Sequence, residues 1–596
     1  MTELPRSPEL SLSELPARLE LPALGVNLIA FGSLASALLG PSTFGFAGPA
    51  AAALIAAAWL GRGDLPGFWR RARFADTFTM GRGLVAIAAT ISLARQVSDA
   101  VLLAGPLMLV LVIVAGEPVA RRLGELAVPY ASGLPGVRTY ERPWVSAGTL
   151  AMADWLALIA LVVLAVVGGP IAATGGAASP ANLAAGLAVL VLLACVADSV
   201  FRIQARRTFQ RRLPAILEQF QPAFLLHWSA PSESTYQVEM WLPYLQRVGR
   251  PFFIVVRTST GFEAVRRITD LPIVLRQTPS SMDALMVPSL KVACYVNSAT
   301  INGHLVRYSQ LTHIQLNHGD SDKGPSYSPV FRMFDKDFVA GQAAIDRFAQ
   351  NGVDVPADMF VIVGRPQVES IAQASGPINQ VTQPTVLYAP TWSGFHGDAD
   401  YSSLPVGEAI IEALVARGCN VIFRPHPYAR RSAVNAAAIE RITARLAADA
   451  AATNRRHVWG PKAERDMSIN DCFNASDAMI ADVSSVVNDY LYSLKPFAMV
   501  AVTEPAQTFT AAFPIARAGY TIDASTGQAH GVEEALTELL DADSRADLRR
   551  KLKAYYLGDF PAEGYAQHFV DALNSFLSPP LAHKGIGLIG YPPAER

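Results

Sequence analysis

The sequence predicts a multi-domain chain: an N-terminal α-helical transmembrane domain followed by a C-terminal α/β part built from two Rossmann-like domains. Long apolar runs dominate up to about residue 200, and charge density rises sharply after it. Beyond Arg212, short apolar runs, several β-branched, alternate with helical stretches in two series separated by a polar break. The hydrophobic fraction of 51% and mean hydropathy of +0.26 are high for a wholly soluble chain, and 596 residues exceed one ordinary core. A net charge of -1 argues against a polyanionic partner such as nucleic acid. Cys195, Cys294, Cys419 and Cys472 stand far apart without a CxxC pair, which argues against a disulfide framework or a zinc site.

A bilayer core takes about 20 helical residues. Leu21–Leu39, Phe44–Leu60, Val101–Gly116, Ala147–Gly169 and Ala181–Val196 reach or approach that length, and Gly83–Ala94 is a shorter candidate whose ordinary alternative is an interfacial or buried helix. Arginines cluster in alternate loops: Arg62, Arg70, Arg71, Arg73 and Arg82; then Arg121, Arg122, Arg138 and Arg142; then Arg202, Arg206, Arg207, Arg211 and Arg212. The turns Gly40–Thr43 and Pro170–Pro180 carry none. Basic loops favour the cytoplasmic side, so about six helices in three hairpins put both termini inside. The expectation is a multi-pass plasma-membrane protein, with a cytoplasmic segment at 1–20, no cleaved signal peptide, and a helical domain at 21–201. Arg95 and Asp99 read as a solvated hairpin tip, and Asp154 as a residue near the interface.

In the α/β part the expected strands are Ala223–Leu226, Phe252–Val256, Val292–Val296, Ile314–Leu316 and Phe360–Val363, then Thr385–Tyr388, Asn420–Phe423, Ala478–Ala481 and Pro496–Val500. Tyr236–Val248 is an expected helix. Short buried strands alternating with helices predict parallel sheets. The resulting domains are 213–376 and 384–575, facing one cleft, with a Pro- and Gly-rich tail at 576–596.

Four stretches carry candidate chemistry. Asp482-Val483-Ser484-Ser485, after the strand Ala478–Ala481, opens a helix whose first N–H groups and two hydroxyls suit phosphate; the ordinary alternative is capping by Ser484. Arg424-Pro425-His426-Pro427 delivers Arg424 and His426 to a strand's carboxyl end, where open parallel sheets bind ligands. Ala389-Pro390-Thr391-Trp392 ends at the same edge, offering Thr391 as a ligand contact and Trp392 as a packing residue; the ordinary alternative is a strand end with no ligand role. Asn317-His318-Gly319 follows a strand of the first domain and offers His318 as a general base. Asp320 and Asp322 hint at a metal, but no third ligand clusters with them, so no metal is expected.

The order His-Gly, linker, Ala-Pro-Thr-Trp, Arg-x-His-Pro and Asp-x-Ser-Ser resembles the CDP-glycerol glycerophosphotransferase family, which builds poly(glycerol phosphate) and related teichoic-acid or capsule polymers. The resemblance covers roughly Ala223–Ala572. Asp489-Tyr490 fits it, and Gly364-Arg365-Pro366 is similar to the family's Gly-x-Pro-Arg turn. It implies the two-Rossmann architecture called GT-B, a CDP-glycerol or related CDP-polyol donor, no cofactor, and a lipid-linked acceptor. By resemblance His318 deprotonates the acceptor hydroxyl and His426 stabilises the donor pyrophosphate. Arg424 assists, Ser484 and Ser485 hold phosphates, and Asp489 helps shape the donor site. Ser393 stands where the family commonly has Arg, and Asp320-Ser321 where it has Thr-Pro. The first leaves open a glycosyltransferase using a UDP- or GDP-sugar; the second, a non-catalytic scaffold or transport module.

Overall fold

The computed structural model describes residues 21–60, 73–97, 100–138, 143–167, 180–319, 324–394 and 400–577. The expectations for Arg62, Arg70, Arg71, Arg142, Asp99, Asp320, Asp322, the segment at 1–20, the turn at 170–180 apart from Pro180 and the tail beyond 577 lie outside these residues. The chain divides into two compact units, the first spanning residues 1–130 and 136–213, the second 131–135 and 214–596.

The described part of the first unit is helical. Its helices are Leu21–Leu39, Ala47–Leu60, Arg73–Ala94, Ala100–Leu111 continued through a π-turn into Glu117–Leu126, Ala147–Val167 and Pro180–Phe220. Three stretches are long and apolar enough to cross a membrane: Val101–Leu126, Ala147–Val167 and Ala181–Phe220; the helices Leu24–Leu39, Ala47–Ala58 and Phe78–Ala94 are apolar but shorter by the same measure. Three helices outrun the expected segments, the one expected at Val101–Gly116 by running on to Leu126. Arg73–Ala94 begins a full ten residues before the apolar stretch because the charge of Arg82 is matched inside the unit: its Nη1 lies 2.7 Å from Glu117 Oε1, both residues being buried. The last helix carries its arginine-rich stretch as helix down to Phe220. Arg95 is exposed and donates to Leu38 O at 2.9 Å, closing the carboxyl end of the first helix.

The second unit holds two α/β lobes. The first contains β1 (Ala131–Ser132), β2 (Phe224–Trp228), β3 (Phe252–Val256), β4 (Ile273–Leu275), β5 (Val292–Tyr295), β6 (Thr312–Gln315), β7 (Lys336–Val339) and β8 (Phe360–Ile362), in the order β1-β4-β3-β2-β5-β6-β7-β8. All neighbours are parallel except β1 with β4. The second contains β9 (Thr385–Ala389), β10 (Asn420–Phe423), β11 (Ala478–Ala481), β12 (Phe497–Ala501) and β13 (Tyr520–Asp523), in the parallel order β10-β9-β11-β12-β13. Leu387, Ile422, Met479 and Met499 pack into one core cluster, and Val386, Val421, Ile480 and Val500 into another, which accounts for the uniformly apolar strands. β1, β4, β7 and β13 had no sequence expectation. The expected helix Tyr236–Val248 is two short helices, Tyr236–Glu239 and Leu242–Arg247, with Pro243 in the first turn of the second.

The carboxyl-terminal segment ties the lobes together. The helix Gln567–Leu577 sets Phe569 against Trp241 and Phe338 of the first lobe, with ring centroids 5.0 and 6.1 Å apart. Gly364, just past β8, sits at φ +73°, and a Cβ there would meet the Tyr565 hydroxyl at 2.9 Å. That hydroxyl accepts the Arg365 N–H at 3.0 Å. Only glycine tolerates both the dihedral and the contact. Gly364→Ala is therefore expected to destabilise the protein by about 2 kcal/mol, combining left-handed strain and overpacking. Thermal unfolding of the full chain in detergent checks this; an unchanged midpoint contradicts it.

Candidate active site

In the second lobe the switch point of the strand order lies between β9 and β11, and the chain leaves both strands at that edge. The edge is built around one carboxylate. Asp482, fully buried after β11, accepts the Thr391 N–H at 2.8 and 3.0 Å. It also accepts the N–H and hydroxyl of Ser403, each at 2.9 Å. The Thr391 carbonyl in turn accepts the Ser402 hydroxyl at 2.9 Å. Asp482 thus fixes the loops after β9 and β11 against each other, which makes it a positioning residue that the sequence reading passed over as a motif letter. Thr391 is buried, and its backbone is occupied in this network.

The pairing of β10 with β9 continues past the strands. Arg424 N–H donates to Tyr388 O and His426 N–H to Pro390 O, both at 3.0 Å. This carries His426 alongside Thr391-Trp392, and the Trp392 and His426 rings stack at 5.8 Å. His426 Nδ1 accepts the Tyr428 N–H at 3.1 Å, so the neutral ring carries its proton on Nε2 and presents a donor there. Arg424 turns elsewhere: its Nη1 donates to Met467 O at 2.6 Å and also to Ala463 O. That guanidinium nitrogen holds the 463–467 turn, which weighs against a donor contact.

Ser484 occupies the cap position before the helix Ser485–Leu491 with extended backbone and no side-chain cap bond. Its hydroxyl is not spent on the capping that was the ordinary alternative. The first helical N–H groups lack intrahelical acceptors and point the same way. Asp489, one turn further, does not open toward a donor: it makes a two-point buried ion pair with Arg365, Nη2 to Oδ2 being 3.0 Å. The pair ties the helix that opens at Ser485 to the turn after β8.

The first lobe meets this edge through Asn317-His318-Gly319. Asn317 adopts φ +58°, its carbonyl accepting the Trp241 indole N–H at 2.6 Å and its amide donating to Asp337 at 3.0 Å. The turn places Gly319 where an added Cβ would touch Ser485 Cβ and Oγ at 3.4 Å. His318 Nδ1 donates to Val296 O at 2.7 Å, leaving the Nε2 lone pair as the basic atom. Burial, helped by the Arg365 charge and opposed by that hydrogen bond, holds its pKa below the ordinary histidine value. The His318-Gly319 turn of the first lobe thus faces the Ser485 end of the second-lobe helix. Ser393 is held by Asn435 Nδ2 at 2.9 Å. Among the described residues, no group of three His, Cys, Asp or Glu side chains is arranged to hold a metal ion.

Residues 360–505 match the family model described as CDP-Glycerol:Poly(glycerophosphate) glycerophosphotransferase. The match runs from β8 to just past β12, takes in Thr391, Arg424, His426, Ser484, Ser485 and Asp489, and marks the chain as a CDP-glycerol glycerophosphotransferase-like enzyme. A comparison with curated proteins finds no match. Among solved structures, the chain is similar to the wall teichoic acid polymerase TagF, at 14% identity and TM-score 0.40 over 64% of this chain and 95% of that one. It is also similar to the MnaA–UDP co-structure of S. aureus, at 14% identity and TM-score 0.39 over 59% of this chain and 96% of that one.

Breaking the Arg365–Asp489 pair from one side strands a buried charge. Asp489→Ala is expected to cost about 3 kcal/mol, while the double change Arg365→Met with Asp489→Leu costs clearly less than the two single changes combined. Thermal unfolding of the four proteins tests this; additive costs contradict it.

Proposed function

We propose that this chain is a membrane-bound transferase of GT-B architecture that moves glycerol phosphate, or a related phospho-polyol, from a CDP-activated donor to a hydroxyl of a lipid-linked acceptor in teichoic-acid-like cell-wall or capsule polymer synthesis. The observation that carries it is the approach of the His318-Gly319 turn to Ser485, beside the strand ends that bear Thr391 and His426.

The two imidazoles suit opposite tasks. His318 Nε2 takes the proton of the acceptor hydroxyl as its oxygen attacks the phosphorus that bears the glycerol. The bond from that phosphorus to the CMP oxygen breaks, and CMP leaves with the electron pair. His426 Nε2–H donates to the phosphate oxygens of the departing CMP, and the hydroxyls of Ser484 and Ser485 with the adjacent N–H groups hold the same charge. The rest is positioning in a cleft closed by the Arg365–Asp489 pair.

The helical unit supports the bilayer part of the reading. In the helix Pro180–Phe220, Leu183, Leu187, Leu190 and Leu193 form an exposed stripe, and Leu156, Ile159 and Val163 do so in Ala147–Val167. Helices apolar on both inner and outer faces fit lipid rather than water. The alternating arginine-rich stretches, helical over 202–212, then favour a cytoplasmic α/β unit in a multi-pass plasma-membrane protein.

Purified protein is expected to release CMP from CDP-glycerol, and His426→Ala to lower that rate at least 100-fold. Release undiminished by the change contradicts the role. A thermal-shift screen separates donors: stabilisation by CDP and not UDP supports the CDP donor, and the reverse supports a sugar nucleotide. Because burial lowers the His318 pKa, the base stays unprotonated below the ordinary value of 6.5. The rate is therefore expected to persist below pH 6.5 and fall only under the depressed pKa; an acid limb centred above 6.5 contradicts it.

A further inference from the structure

A second polar cluster lies in the first lobe, at the carboxyl ends of β2 and β3 and in the loop after β5. Arg257 follows β3 directly and is 3% exposed. Its Nη2 donates to His304 Nδ1 at 3.0 Å and to Gln277 O at 3.3 Å. Its Nε and Nη1 are buried and, among the described residues, reach no acceptor. Burial alone pulls its pKa down to about 10, with no carboxylate contributing. A buried guanidinium without a counter-charge is costly, and buried arginines are nearly always paired.

His227, on the neighbouring β2, is likewise buried. Asn302 donates its amide to Asn297 O at 2.7 Å, which fixes its oxygen toward His227 Nδ1 at 3.0 Å. His227 therefore donates from Nδ1, and its Nε2 is a buried lone pair with no donor among the described residues. Burial, followed by the charge of Arg257, lowers its pKa to about 3, so the ring is neutral beside the guanidinium. His304, two residues beyond Asn302, is half-buried at the rim. Arg276, at the strand-end position next to Arg257, adds a second buried guanidinium to the same edge.

Unsatisfied donors from Arg257 and an unsatisfied acceptor from His227, in one cluster where no described carboxylate pairs with Arg257, match a ligand that offers both an anionic oxygen and an O–H group. We propose that Arg257, His227 and His304 form an anion subsite that takes a phosphate group carried by the acceptor. The assignment of that phosphate to the acceptor rests on the transferase reading above; the anion site itself does not. In the order β3-β2-β5-β6, three strand spacings of about 4.8 Å put Arg257 on the order of 14 Å from the His318 end of β6. A phosphate held there belongs to a part of the acceptor remote from the attacking hydroxyl. The subsite thus selects an acceptor already bearing phosphate over the same polyol without it.

The test uses the full chain in nanodiscs, saturated with CDP so that the donor edge is filled, and titrated with inorganic phosphate and with glycerol 3-phosphate. Wild type is expected to bind both, and to bind glycerol without phosphate at least 10-fold more weakly. Arg257→Gln is expected to weaken phosphate at least 10-fold and His304→Gln a few-fold, with CDP affinity unchanged. Absence of phosphate binding to the wild type, or equal binding by Arg257→Gln with CDP affinity intact, overturns the site. If Arg257→Gln loses CDP binding and so has not folded, His304→Gln decides: undiminished phosphate binding overturns the proposal. Binding of inorganic phosphate but not glycerol 3-phosphate also overturns it, as it marks an adventitious ion only. Failure to release CMP from CDP-glycerol sinks the transferase reading separately and leaves the phosphate titration standing.

Discussion

The geometry of the cleft depends on one buried ion pair, Arg365 with Asp489. Arg365 belongs to the turn that ends the first lobe, and Asp489 to the helix that opens at Ser485. Residues four apart share a helix face, so holding Asp489 fixes where the serine end of that helix stands against the first lobe. The Tyr565 hydroxyl fixes the other partner by taking the Arg365 N–H while donating to Leu557 O. A buried pair of this kind adds little to stability once desolvation is counted, but it permits one arrangement and penalises others. Here that arrangement brings Gly319 to Ser485.

Asp482 does for the second lobe what the ion pair does for the cleft. Its two oxygens collect backbone and side-chain donors from two loops that come from different strands. A carboxylate spent this way is unavailable for acid–base work, and in the proposed reaction the proton chemistry falls to the histidines. Their orientations follow from backbone partners: a carbonyl on His318 Nδ1, an N–H on His426 Nδ1. The same side chain becomes an acceptor at one edge and a donor at the other.

Much of this was legible in the sequence, and the exceptions have physical causes. β3, β10 and β11 are dense apolar runs between turn residues and matched their expected bounds. β13 alternates buried and half-buried residues at a sheet edge, and β4 is three residues long, so neither stood out. The helix Arg73–Ala94 was shortened in the reading because its charge at Arg82 is matched by Glu117, a partner no local pattern reveals. Within the site, strand-end positions pointed to His426, Thr391 and Ser484. The engagement of Asp489 by Arg365, 124 residues away, and of Arg424 by the 463–467 turn depends on tertiary contacts that spacing cannot show.

The central claim is that the two lobe edges enclose a donor diphosphate. A structure of the protein with CDP bound tests it most directly. The account predicts the diphosphate within hydrogen-bond reach of His426 Nε2 and the Ser484 and Ser485 hydroxyls, with His318 on the facing side. Ordered CDP in a place that touches none of these residues would contradict it.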